Sequence, residues 1–154
     1  MKLEDAIKSN KFRDEQHKAS LNVLYTAYWL KSSFSQVFKA RGLTMEQHNV
    51  LRILKGMHPE AMCVKEIGAR TLEKNSNVPR IIDRLVAKKL VKRAQSKHDK
   101  RETLISLTEK GVEVIDQTRR ELDNFSKDLI NITSEEATTL NELLERMRSK
   151  EEQA

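Results

Sequence analysis

The chain has 154 residues, 34% of them charged, with only four glycines and two prolines. That balance favours solvated helices around one core and excludes a turn-rich β architecture. The net charge is +6; the single cysteine, Cys63, excludes an internal disulfide and fits a reducing compartment. No run approaches the ~18 apolar residues of a membrane span, and the opening Met1-Lys2-Leu3-Glu4-Asp5 is no signal segment, so a cytoplasmic, membrane-free protein is expected.

The charge is unevenly held. Residues 65–101 carry twelve Lys/Arg against four Asp/Glu, whereas residues 102–154 carry seven against thirteen. A compact basic block beside an acidic tail suits a polyanion partner, although a solvated helix face has the same charge.

In chain order, residues 11–40 contain no Gly or Pro and read as one long helix. At about 100° per residue, Val23, Ala27, Leu30, Phe34 and Val37 share a stripe, with Leu21, Tyr25 and Tyr28 almost opposite. A helix apolar on two faces packs between two bodies: its own domain, and a partner subunit or a ligand cavity. Gly42 breaks the chain, and Thr44-Met45-Glu46-Gln47 has the form of a capping box. The helix it starts has Val50, Leu51, Ile53 and Leu54 as its core face and ends near Gly56 and Pro59. A short extended piece over 61–64 and a short helix to about Arg70 follow. The next helix is expected from a cap at Asn75 or Ser76 to about Lys89, with Pro79 tolerated in its first turn.

Val91–Gln95 and Thr103–Leu107 read as two strands of a hairpin with the basic tip Ser96-Lys97-His98-Asp99-Lys100-Arg101. Thr108 caps a long helix in which Ile115, Leu122, Phe125 and Leu129 share a face. Thr133-Ser134-Glu135-Glu136 is a second capping box, and Ala137, Leu140, Leu144 and Met147 then form a narrow seam suited to an interhelix contact.

Helix, short helix, turn, helix and basic hairpin is the order of a winged helix-turn-helix, whose second helix fits the major groove. On that helix Ser76, Asn77, Arg80, Asp83 and Arg84 form a polar face opposite Val78, Ile82 and Leu85. Short polar side chains can approach base edges, and an arginine can bind guanine through two hydrogen bonds or hold a phosphate. Amphipathicity alone is the ordinary state of a surface helix. The tip weighs against that reading: Lys97, His98, Lys100 and Arg101 crowd cations where nothing apolar is buried, and a phosphate backbone or a narrow minor groove offsets the repulsion. Asp99 is placed to orient Arg101, the preferred minor-groove residue, although a plain surface ion pair is equally available.

These residues resemble the multiple antibiotic resistance regulator (MarR) family of bacterial winged-helix regulators. The resemblance covers about residues 20–150. It rests on Leu43-Thr44-Met45-Glu46-Gln47, on Ser76 to Leu85, and on Asp99-Lys100-Arg101 followed by Leu107-Thr108-Glu109-Lys110-Gly111. Its specific part is that last pair, a D-x-R wing and an L-T-x-x-G helix start. It implies a mainly α fold (α+β): a winged helix-turn-helix DNA-binding domain at residues 43–107 that carries a two-stranded β-hairpin wing, and a helical dimerisation region at 11–42 and 108–150. It also implies a homodimer on a pseudo-palindromic double-stranded DNA operator, with a small-molecule or redox-sensing cleft, acting as a repressor that such a signal relieves. One departure is Pro79, where Ser or Thr is expected; this leaves more of the reading to Asn77, Arg80 and Arg84.

Six of the seven aromatic residues lie between Phe12 and Phe38. Tyr25, Tyr28, Trp29 and Ser32 are the candidate cleft for a small aromatic or phenolic effector, although aromatic stripes are more often core or interface. Cys63 reads as a buried, inert thiol. His17, His48, His58 and His98 lack metal-ligand spacing with one another and with Cys63, so neither metal nor cofactor is expected. With no Gly-rich phosphate loop or nucleophile elbow, an enzyme is not expected. The competing class is an architectural or partner-recruiting DNA-binding factor without effector control.

Overall fold

The structure, a computed structural model, describes residues 1–73, 76–96, 99 and 101–149. Among them the elements run α1 (Leu3–Ile7), α2 (Glu15–Ala40), α3 (Met45–Met57), β1 (Met62–Cys63), α4 (Val64–Ala69), α5 (Val78–Ala87), β2 (Val91–Gln95), β3 (Thr103–Leu107), α6 (Glu109–Leu129) and α7 (Ser134–Met147). The fold is mainly α with a three-stranded antiparallel sheet in the order β1-β3-β2. It comprises two compact units, residues 1–121 and 122–154.

Most expected elements form for the expected reasons. Thr44 makes the capping box of α3, accepting from the Gln47 amide at 3.2 Å while Gln47 accepts from the Thr44 amide at 3.3 Å. The hairpin strands fall on the expected bounds, with Arg93 opposite Ile105 and Val91 opposite Leu107. The sheet gains β1, whose Met62 pairs with Ile105. Two starts differ. Helix α2 begins at Glu15, because the Asp14 side chain accepts from the His17 amide at 2.6 Å, and a separate short α1 precedes it. Helix α5 begins after Asn77, for a reason given below.

The core of the first unit joins Val50, Leu51 and Leu54 of α3, Ile67 of α4, Ile82 and Leu85 of α5, and Ile105 of β3, all fully buried. Each such side chain contributes about 1.5–3 kcal/mol, so one apolar cluster fixes α5 and the hairpin against the same support. Helix α6 is tied on through the L-T-x-x-G residues. The Leu90 carbonyl accepts from the Thr108 amide at 3.1 Å, and the Thr108 hydroxyl donates to the Lys89 carbonyl at 2.8 Å. That hydroxyl also accepts from the Gly111 amide at 3.0 Å, capping α6. A Cβ at Gly111 would stand 2.0 Å from the Leu90 carbonyl oxygen, so the close approach needs glycine. Further along α6, Asp116 pairs with Lys55 at 2.7 Å, and Gln117 and Glu121 accept from Arg41.

Long helix α2 is thinly covered. Only Phe38 is buried, while Leu30, Phe34 and Val37 are half-buried and Val23, Leu24, Tyr28 and Trp29 are exposed. In the second unit, the capping box of Thr133 and Glu136 starts α7, which has no buried residue; Leu140, Leu143 and Met147 are 45%, 50% and 51% exposed. Among the described residues no helix is long and apolar enough to cross a membrane.

Candidate nucleic-acid interface

The start of α5 is set by Pro79. A capping side chain accepts from the amide two or three residues on. Were Ser76 the cap, its third residue would be Pro79, which has no N–H, and only the Val78 amide would be left to donate to it. With Asn77 as cap the third residue is Arg80, and the Asn77 Oδ1 accepts from the Arg80 amide at 3.2 Å. The expected cap at Ser76 is therefore corrected to Asn77, and Asn75 lies outside the described residues. With its oxygen committed, the Asn77 side chain keeps its NH2 group for an outside acceptor.

The C-terminal end of α5 is equally determined. Lys89 takes a left-handed conformation at φ 60°, its amide donates to the Val86 carbonyl, and the Leu90 amide donates to that of Leu85. This is a Schellman closure with Leu85 and Leu90 buried beneath it. Between its two caps, α5 buries Val78, Ile82 and Leu85, while Arg80, Asp83 and Arg84 are exposed and Ser76 is half-buried. Among the described residues no ion-pair partner engages Arg80 or Arg84, whereas Asp83 pairs with Arg93 of β2 at 2.5 Å.

A cleft of about 350 Å³ opens beside this face. It is lined by Thr44, Glu46 and Gln47 at the start of α3, by Glu73, and by Ser76, Asn77, Arg80, Ile81 and Arg84 at and before α5. Hydrogen bonding from the Thr44 side chain, ahead of that from the backbone, holds the Glu46 carboxyl below the usual carboxylate range. Glu73 is ion-paired with Lys31 of α2. Gln47, buried, accepts from Lys88 at 2.8 Å, which ties the far end of α5 to the start of α3.

At the hairpin tip, Asp99 shapes the turn. Its amide donates to the buried Ser96 hydroxyl at 3.3 Å, and its carbonyl accepts from the Glu102 amide at 2.9 Å. Its carboxylate accepts from the Arg101 amide at 2.9 Å and from Nε at 3.3 Å, leaving the Arg101 side chain 92% exposed. Lys97, His98 and Lys100 lie outside the described residues.

On α2, Tyr25 is half-buried and Tyr28, Trp29 and Ser32 are exposed. None of the four lines the cleft. Cys63 is half-buried rather than buried, a correction that follows from its place at the rim between β1 and α4, where its amide donates to Glu66 at 2.9 Å. Sequence reasoning missed Thr44, Glu46, Gln47 and Glu73 as cleft walls, and Arg93 as the partner of Asp83. The first three were visible only as a cap, and the pairing joins positions ten residues apart that only the folded sheet brings together.

Residues 32–118 match the family model described as transcriptional regulator SarA/Rot. The chain is 26% identical over 129 residues to the uncharacterised HTH-type transcriptional regulator YdgJ of Bacillus subtilis (strain 168), covering 82% of this chain and 77% of that protein. Its fold is similar to that of a MarR variant from E. coli complexed with operator DNA (TM-score 0.71, 23% identity, 82% of this chain and 91% of the other). It is also similar to the organohalide-sensing regulator RdhR in its 2,4-dichlorophenol-bound form (TM-score 0.78, 18% identity, 88% and 80%). A capped polar helix beside a basic wing, on a winged-helix support matched over more than half its length, makes this chain a member of the SarA/Rot family of transcriptional regulators, a DNA-binding protein of MarR type rather than an enzyme.

Proposed function

We propose that the protein is a sequence-specific repressor that binds a pseudo-palindromic double-stranded operator as a homodimer in the bacterial cytoplasm and is released by a small aromatic or phenolic effector. The observation that carries the reading is the exposed face of α5. Arg80 and Arg84, without ion-pair partners among the described residues, share that face with Asn77, and all three also wall the cleft. In this reading Ser76, Asn77, Arg80 and Arg84 address base edges, and the hairpin tip of Lys97, His98, Lys100 and Arg101, oriented by Asp99, grips the backbone and minor groove.

The helical regions 11–42 and 108–150 supply the dimer contact. In support, α2 and α7 both expose apolar side chains that a single chain leaves in water. The effector acts where α2 meets the reading head. Glu73, which lines the cleft, is paired with Lys31 of α2, which lies beside the face that carries Tyr25, Tyr28, Trp29 and Ser32. A ligand against that face or in the cleft disturbs the side chains DNA needs, so the two compete.

The test begins with duplexes selected from a random pool by the purified protein. Titration with benzoic acids, phenols and oxidants then follows the fluorescence anisotropy of the bound duplex. Release by one class at concentrations that leave the protein folded is expected. Selection of a duplex that no compound releases would favour the architectural reading.

A further inference from the structure

We infer that Asp83 and Arg93 form a positioning pair that sets the hairpin wing at a fixed angle to the reading helix, so that helix and wing engage DNA as one rigid head. The inference rests on the reading above that both elements contact DNA.

Arg93 has the same strand parity as Val91, whose side chain is buried in the core, and it sits opposite Ile105, itself fully buried. The inner face of β2 thus runs outward past the end of the apolar cluster. There Arg93 meets the Asp83 carboxylate of α5 at 2.5 Å. Asp83 lies between Arg80 and Arg84 in sequence, on the face opposite Ile82 and Leu85. Among the described residues this is the one ion pair joining α5 to the hairpin.

A partly exposed ion pair adds little to stability. Its use is geometric: a planar guanidinium against a carboxylate fixes a direction as well as a distance. Beyond this pair the strands run out to the tip. The pair thus stands at the pivot between the base-reading face and Arg101, whose placement decides whether the tip reaches the flanking backbone. It also neutralises a carboxylate on a surface that faces phosphates.

The sign of one substitution separates positioning from simple charge. Asp83→Asn removes a negative charge next to DNA, and by charge alone it strengthens binding. As a positioning residue, its loss weakens binding. The experiment compares Asp83→Asn, Arg93→Gln, the double variant and Arg93→Lys with the full-length wild type on a duplex selected from a random pool. Circular dichroism checks folding, anisotropy over a salt series gives affinity, and hydroxyl-radical footprinting maps backbone protection.

Both single variants are expected to bind about fivefold more weakly and to lose about one unit of log–log salt slope. Protection at the flanks weakens while base preference in the centre is unchanged. The double variant is no worse than either single one, and Arg93→Lys, which keeps the charge but not the planar fork, recovers only a minor part of the loss. Tighter binding by Asp83→Asn, additive losses in the double variant, or a changed preference at one base pair with the flanks intact would each overturn the proposal. Arg80→Ala and Arg101→Ala serve as controls. If neither alters binding, the interface itself is wrong and the pair falls with it; if both do and the Asp83 and Arg93 variants do not, the pair alone fails.

Discussion

Arg80 and Arg84 stand one turn apart on α5 with both guanidinium groups exposed, and each can address a guanine edge through two parallel hydrogen bonds. Replacing either by alanine is expected to cost about 1–3 kcal/mol at particular base pairs and little elsewhere, measured by anisotropy on single-base variants of a selected duplex. Arg101→Ala, at the tip, is expected to weaken all duplexes nearly equally and to lower the salt slope by about one unit. Equal losses on every sequence for the helix variants would rule out direct reading. His48 offers a pH test. Its ring stacks on Phe38 with centroids 4.6 Å apart, and burial, reinforced by Arg52, pushes its pKa down from 6.5 to about 4. A lowered pKa means the folded state binds fewer protons than the unfolded one. Its share of stability is therefore complete above pH 6.5 and is lost as the pH falls towards 4. Discounted for partial exposure, about 1 kcal/mol is expected to disappear across that window. The loss would show as a falling thermal midpoint that His48→Phe flattens.

Helix ends organise the element scale. The two glycine-related sites around the α5–β2 turn behave oppositely. Gly111→Ala drives a Cβ against the Leu90 carbonyl and is expected to destabilise by about 1–3 kcal/mol or more. Lys89→Gly relieves a left-handed lysine and is expected to leave stability unchanged or raise it by up to about 1 kcal/mol. Thermal melts of both variants decide the matter. What could be read beforehand divides along the same line of local against distant causes. The capping boxes at Thr44 and Thr133 and the period-two strand at Thr103–Leu107 carry their own signals, and each element begins where expected. Asn77 was legible too, because Pro79 denies Ser76 the donor three residues on while Asn77 finds one at Arg80, but that needs the cap and the proline considered together. Among candidate site residues, the polar face of α5 followed from its spacing. The joining of β1 to β3, the cleft walls at Glu46 and Glu73, and the Arg93 partnership arise from packing between distant segments, and no local pattern announces them.

For the whole molecule, the exposed apolar side chains of α2 and of α7 predict association. Sedimentation at micromolar concentration is expected to give a dimer, and Leu140→Glu with Leu144→Glu is expected to shift it to monomer and weaken operator binding by ten-fold or more. A monomer that binds as tightly as the parent would contradict the two-fold arrangement.

The shortness of α5 bears on this. Ten residues at about 1.5 Å each make a rod of roughly 15 Å, enough to lie along only about four or five base-pair steps of roughly 3.4 Å. A word that short recurs by chance every few hundred to a thousand base pairs, while a bacterial chromosome offers about a million or more competing positions. One reading head therefore carries too little information to find an address. In the proposed dimer, two heads held at a set separation, each with a wing adding a flank, would multiply the discrimination, and spacing would become part of the word that is read.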